Sequence, residues 1–454
     1  MDNNRITISF FGGVGMVTGA NFLLTAGRSK ILVDCGLIQG ERLAQEENSL
    51  PFSYDLSAID ALFVTHAHLD HVGRIPKLVK EGYKGPIYST PETRALAEIV
   101  LTDAAQILLE DAKEDGRVPI YLPEDVPPVF GNWKTIQYHE TFKLKEDISV
   151  LAKDAGHILG SAMYEISVLD KKILFTGDLG NSPAPLLRNT EDVGNVDCLV
   201  MESVYGDRNH EGREGRQNHL ERIIKETVGK EGTLVIPAFA LDRTQVILFE
   251  LNDLVESGRI PRIPVFVDSP MAIKATEVYR HSPELFNDSV QARLKSGDDV
   301  FSFPKLEYIM TKRESSEIER VTGPKIILAG SGMSVGGRVL SHEARYLPEA
   351  KNTILLIGYQ TVGSLGRRMA DGARNVSIAR KTIKVRAKIE NLTGYSAHKD
   401  SEHLVKFVAT GNESLKKVFV VMGETGASLH LAQVLNDELG VGAIVPETGR
   451  EYEI

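Results

Sequence analysis

The sequence is poor in the residues that mark an extracellular or membrane setting. It has two cysteines, Cys35 and Cys198, in 454 residues, too few for a disulfide framework, so a cytoplasmic protein is expected. No apolar run reaches the roughly 18 residues that a membrane span needs. The start, MDNNRITISFFGG, has neither the basic nor the apolar segment of a secretory signal. Positive charge is scarce too. Fifty-two Lys and Arg against 62 Asp and Glu leave a net charge of −10, which excludes a surface that coats nucleic acid by general basicity but allows a local basic groove. Internal repeats and low-complexity tracts are absent. The remainder, 42% hydrophobic and 25% charged, excludes disorder and coiled coil as the main character, and the length implies about two or three domains.

Short β-branched and aromatic runs bounded by glycine predict strands at Arg5–Phe11, Asn21–Leu24, Lys30–Val33 and Ala61–Val64. Thr90-Pro91 has the form of an N-cap followed by proline at the first helical position, opening a helix toward Glu110. Strands return at Ile148–Leu151, Met163–Val168 and Lys172–Thr176. Beyond the polar, loop-like stretch Gly206–Glu214 the texture changes. Strands at Thr233–Ile236, Val265–Val267, Lys325–Leu328 and Thr353–Ile357 alternate with helical stretches, which predicts βαβ units and a parallel sheet. From about Arg386 strand, helix and strand return, with a strand at Lys417–Val421.

One window is basic within this acidic chain. From Arg367 to Lys388 eight bases stand against one acid, Asp371. Ile383, Val385, Ala387 and Ile389 alternate there with Lys384, Arg386 and Lys388, predicting a strand with one buried face and one basic face. The face suits an anion, or is simply solvated.

The strongest chemical signal is Thr65-His66-Ala67-His68-Leu69-Asp70-His71, directly after an apolar strand. Extended backbone points His66 and His68 to one side, while Asp70 and His71 fall where the chain turns into a helix. Three imidazoles and a carboxylate in six residues are a zinc-type ligand set. His157, in Gly156-His157-Ile158-Leu159-Gly160-Ser161, and Asp178, in Thr176-Gly177-Asp178-Leu179-Gly180 at a strand end, are the residues expected to close it, Asp178 as a bridge. Alone, each would read as a core histidine or a turn aspartate. Asp34 ends the strand before Cys35 and is expected to orient a ligand imidazole.

Asp34, the His66–His71 cluster, His157 and Asp178 resemble, in order and context, the metal motifs of the metallo-β-lactamase superfamily. Glu202-Ser203-Val204-Tyr205-Gly206-Asp207-Arg208 and Gly394-Tyr395-Ser396-Ala397-His398-Lys399-Asp400 are similar to the first two motifs of its β-CASP branch. Pro237–Ala240, Asp268–Ala272, Ser331-Gly332-Met333 and Gly363–Arg368 match that branch as well. The likeness spans nearly the whole chain. It is nearest to bacterial and archaeal RNases related to the endonuclease subunit of the cleavage and polyadenylation machinery. It implies an αββα sandwich in two parts, 1–206 and 386–454, with a Rossmann-like parallel α/β β-CASP domain inserted at 207–385.

The resemblance further implies a zinc-dependent ribonuclease that hydrolyses RNA with metal-activated hydroxide, endonucleolytic with an accompanying 5′-exonuclease mode. One zinc falls to His66, His68 and His157, a second to Asp70 and His71, with Asp178 shared. His398 becomes the general acid, kept protonatable by Glu202. RNA, mainly single-stranded, is the expected partner, in a groove between the two domains. A homodimer is allowed and no membrane is involved. The loop Gly330–Arg338 is one residue too long for a dinucleotide fingerprint, but its amides precede a helix and suit a phosphate. Ser331, Arg243, Arg338 and Arg367 are the candidate phosphate partners, with ordinary salt bridges as the bland alternative for the arginines. Three positions depart from the branch. Met422 stands where a histidine is usual, which would weaken the second metal site, Met16 where Glu is common, and Asp242 where Gly is usual. Two other functions compete with this one. One is hydrolysis of a small β-lactam, lactone or thioester substrate, which the inserted domain would hinder. The other is a non-catalytic RNA-binding homologue, which predicts several lost ligands.

Overall fold

The computed structural model describes residues 5–40, 42–210, 215–358, 360–361, 363–411 and 413–454. The expected loop Gly206–Glu214 therefore lies partly outside the described residues, at 211–214. The chain divides into two compact units, 1–209 with 398–454, and 210–397.

The first unit holds two seven-stranded sheets. In spatial order one runs Glu451–Glu453, Ile6–Phe10, Phe22–Ala26, Ser29–Val33, Ala61–Phe63, Ile87–Ser89, Trp133–Thr135. The other runs Gly442–Ile444, Lys417–Val421, Cys198–Glu202, Lys171–Phe175, Ala162–Val168, Ile148–Asp154, Thr141–Lys145. Period-two alternation assigns their faces. Cys198, Val200, Phe419 and Val421 join Phe10, Phe22, Val33 and Phe63 in the core between the sheets. Leu199, Met201, Val418 and Val420 point the other way and pack with Leu404 and Leu431 of the helices Ser401–Val408 and Thr425–Leu439. Strands buried on both faces explain the unbroken apolar runs of the sequence. Each fully buried Leu or Phe here is worth about 1.5–3 kcal/mol.

Helix Pro91–Asp115 contacts strand Trp133–Thr135 of the first sheet and completes an αββα arrangement. Thr90 caps it, its Oγ1 accepting from the Thr93 N–H at 3.2 Å, and Gly116 ends it in the left-handed region at φ +66°. The helix runs five residues past the expected Glu110, because no breaker intervenes before Gly116. No described helix is long and apolar enough to cross a membrane.

In the second unit six strands run Leu306–Tyr308, Val265–Asp268, Lys325–Ala329, Thr233–Pro237, Thr353–Leu356, Lys388–Asn391, all parallel. The glycine-rich loop 330–338 joins Lys325–Ala329 to helix Val339–Tyr346. The single basic strand expected around Lys384 is instead two elements. Asn375–Ile378 and Lys381–Lys384 form an antiparallel hairpin, and Lys388–Asn391 joins the parallel sheet. The break has a local cause: the Arg386 and Ala387 N–H groups both donate to the Leu347 carbonyl at 2.9 Å, taking them out of any ladder. The alternation itself persists, with Ala387 buried and Lys384 and Arg386 exposed.

Candidate metal centre

Strand Ala61–Phe63 delivers His66 and His68 into a loop, and the short helix Leu69–Val72 carries Asp70 and His71. His66 Nε2 lies 3.1 Å from His68 Nδ1, and His157 Nε2 lies 3.2 Å from the same atom. Asp178 Oδ2 is 3.4 Å from His66 Nε2 and 3.5 Å from His157 Nε2. Its other oxygen, Oδ1, is 3.3 Å from His71 Nε2, and His71 Nε2 is 4.0 Å from Asp70 Oδ2. Two donor sets thus meet at Asp178: His66, His68, His157 and Asp178, and Asp70, His71 and Asp178.

The donors fit a metal on three counts. Tetrahedral bonds of about 2.0–2.1 Å place ligand atoms about 3.3 Å apart, the spacing found in the first set. His71 Nε2 and Asp178 Oδ1 are buried and make no hydrogen bond, a costly arrangement unless something else engages them. His68 and His157 are held well below the ordinary imidazole range by burial and by the neighbouring imidazoles, so they are neutral and offer lone pairs. Burial would raise the Asp178 carboxyl, but His71 and His66 outweigh it and keep it ionised.

A surrounding layer fixes the donors. The Asp34 carboxylate accepts from the Thr65 N–H and Oγ1, each at 2.8 Å, and its Oδ2 lies 2.7 Å from His71 Nδ1. That contact turns His71 Nε2 toward Asp178, and the Asp178 and Asp34 carboxylates outweigh burial and push the imidazole pKa up. Thr65 Oγ1 also lies 3.1 Å from His66 Nδ1. Ser161 Oγ accepts from the His157 N–H at 3.0 Å. Neither Thr65 nor Ser161 was singled out in the sequence, although both lie inside the motifs. The Thr65 contact to Asp34 exists only because their strands lie side by side, whereas Ser161 acts on a residue four positions before it.

Glu202 ends strand Cys198–Glu202 and is wholly buried. Its Oε1 accepts from the Leu179 N–H at 2.6 Å and lies 3.1 Å from His398 Nδ1. His398 Nδ1 is 4.0 Å from Asp178 Oδ2. Burial would lower the His398 imidazolium, but the Glu202 charge and hydrogen bond, with Asp178 and Asp70, outweigh it and raise it to about 9. The imidazole is thus favoured in its cationic form beside the donor cluster.

The other candidates lie in the second unit. The Arg243 guanidinium donates to the Tyr395 carbonyl and pairs with Asp242. Arg338 donates to Asp268 Oδ1 at 2.6 Å and to the Ile309 and Met310 carbonyls. Both are engaged within the unit. Arg367 is the least buried of the three arginines, and it pairs with Asp371 one turn on. Ser331 Oγ accepts from the Val335 N–H at 3.1 Å inside the glycine-rich loop.

Three family models match along the chain: a metallo-beta-lactamase superfamily domain at 23–196, a Beta-Casp domain at 244–369 and a Zn-dependent metallo-hydrolase RNA specificity domain at 382–446. Ribonuclease TTHA0252 of Thermus thermophilus is 36% identical over 426 residues, covering 94% of this chain and 95% of that one. The chain belongs to the β-CASP branch of the metallo-β-lactamase superfamily. Transcription termination factor FttA of Methanosarcina mazei is 30% identical, covering 96% of this chain and 70% of that one. A crystal structure of a protein of unknown function from Enterococcus faecalis V583 shares the fold at TM-score 0.57 and 15% identity, covering 99% of this chain and 100% of that one.

Against that β-CASP background the three departures have distinct surroundings. Met422 is buried in the inter-sheet core with Phe22 and Phe419, at φ +49°, its N–H donating to the Gly13 carbonyl at 2.6 Å. His430, the nearest alternative ligand in sequence, is exposed on helix Thr425–Leu439. Among the described residues the second donor set therefore has three members. Asp242 sits at φ +63°, which explains the usual glycine; here its carboxylate is held by Arg243 and by Tyr279 Oη at 3.3 Å. Met16 is half-buried in the loop 12–19, and nothing around it explains the change.

Proposed function

We propose that this β-CASP chain is a zinc-dependent ribonuclease acting on single-stranded RNA in the cytoplasm, endonucleolytic with an accompanying 5′-exonuclease mode. The observation that carries the proposal is the meeting of two donor sets at Asp178, 4.0 Å from a His398 held by Glu202. The match to an RNA specificity domain and the likeness to a protein named ribonuclease support RNA as the substrate.

His66, His68, His157 and Asp178 would hold one ion, and Asp70, His71 and Asp178 a second. Bound divalent ions supply a Lewis acid for the scissile phosphate and lower the pKa of water. The chain does the rest. Asp34 and Thr65 hold the His71 ring so that Nε2 faces inward. Glu202 keeps His398 protonated, and His398 gives its proton to the leaving 3′-oxygen, so products carry a 3′-hydroxyl and a 5′-phosphate. Ser331 and Arg367 are the proposed phosphate contacts, while Arg243 holds the Tyr395 carbonyl and Arg338 the Ile309 and Met310 carbonyls. The three-member set, richer in oxygen than its neighbour, is proposed to bind the second ion more weakly.

Asp70→Ala and His71→Ala should each abolish cleavage of unstructured RNA while leaving the circular dichroism spectrum unchanged. If the metal-loaded native chain leaves several such RNAs intact, the ribonuclease proposal is wrong.

A further inference from the structure

Lys399 follows His398 directly and is 5% exposed. Its Nζ donates to the Gly180 carbonyl at 2.8 Å and to Ser182 Oγ at 3.4 Å, and its N–H donates to the Leu179 carbonyl at 3.0 Å. Gly180 and His398 form an isolated β-bridge. The segment gripped this way begins one residue after Asp178. Glu202 grips it from the other side, accepting from the Leu179 N–H and contacting His398. Gly180 cannot retreat, because a Cβ there would lie 1.8 Å from the Gly156 carbonyl oxygen, and its own N–H donates to the Ala155 carbonyl at 2.8 Å. The same segment therefore also touches the loop that carries His157.

Burying an ammonium costs more than burying a methionine of similar length. Stability alone does not account for a lysine here. Its hydrogen bonds tie two backbone segments, one carrying the shared carboxylate Asp178 and the other the proton donor His398. We infer that Lys399 is a positioning residue that sets the spacing between His398 and Asp178, so that the proton reaches the leaving oxygen while the phosphate is held. This inference rests on the proposed role of His398.

The test uses the full metal-loaded chain and two substrates: single-stranded RNA, whose alkoxide leaving group needs a proton, and bis(p-nitrophenyl) phosphate, whose leaving group does not. Lys399→Met should lower kcat on RNA roughly ten- to a hundredfold, the scale of a misplacement of about 1 Å. KM, zinc content and turnover of the aryl diester should change less than about twofold, because binding and metal chemistry are untouched. Lys399→Arg keeps a donor for the Gly180 carbonyl and should recover part of the loss. Equal losses on both substrates, or none on either, would overturn the inference. His398→Ala, assayed alongside, separates the two levels. If it shows the leaving-group signature and Lys399→Met does not, only the positioning role fails. If His398→Ala itself lacks the signature, the general-acid role fails and this inference falls with it.

Discussion

His398 and Glu202 stand 196 positions apart and meet at 3.1 Å, and the proposed general acid rests on that pair. Removing the imidazole should lower RNA turnover by roughly 10²–10⁴, the scale of a lost general acid, with zinc content by atomic absorption unchanged. Met422 is the other decisive residue. Its side chain is packed among phenylalanines, so one donor set has four members and the other three. Calorimetric titration should show one tight zinc and one weak site that manganese fills comparably, since oxygen-rich sites favour harder ions. Met422→His, a residue that accepts positive φ, should tighten the weak site. Two equally tight ions in the native chain, unchanged by that substitution, would mean that a further ligand completes the set. At this scale the sequence was legible where donors cluster. His66, His68, Asp70 and His71 announce themselves by spacing alone. Asp34 was legible at its strand end as a carboxylate that orients an imidazole, but which imidazole was not; the Glu202–His398 contact was legible only through resemblance, because no local period links residues that far apart. The arginines show the limit: Arg243 and Arg338 share composition and motif context with Arg367, and only their packed carboxylate and carbonyl partners distinguish them.

Elements position these residues through a few ties between distant segments. Thr90 caps helix Pro91–Asp115, and its Oγ1 also donates to the Gly160 carbonyl at 2.6 Å, as the Thr93 Oγ1 does at 2.8 Å. The helix start thereby anchors the loop that carries His157. Thr90→Ala should cost about 1–2 kcal/mol in urea unfolding and speed loss of zinc to a chelator; unchanged zinc retention would separate the cap from the site. The hairpin ending at Lys384 and the exposed Arg386 beyond it make a second element test. Charge reversal at both should weaken RNA binding and flatten its salt dependence, without changing turnover of an aryl diester. An unaltered salt slope would reduce this face to a solvated one. Strand and helix types were legible from alternation and capping residues. The split at Val385–Ala387 was not, because the Leu347 carbonyl that captures two N–H groups lies about 40 residues upstream, beyond the reach of any local pattern.

Across the whole molecule, the donor cluster and His398 belong to one compact unit assembled from both ends of the chain, 1–209 and 398–454. The parallel α/β unit interrupts it in sequence. The texture changes from sheet-rich to alternating near Gly206, close to where the second unit begins, whereas the strand expected to follow Arg386 lies in the parallel sheet of that unit and the first unit resumes at 398. The central claim joins these scales: donors meeting at Asp178, with a proton donor beside them, hydrolyse RNA. Its most direct test is to incubate internally labelled single-stranded RNA with the zinc-loaded native chain, with and without chelator, beside Asp70→Ala, and to map the product ends. The account predicts internal cuts with 5′-phosphate and 3′-hydroxyl ends, abolished by chelator and absent with Asp70→Ala. Intact RNA at full metal load, or equal cutting by Asp70→Ala, would contradict it.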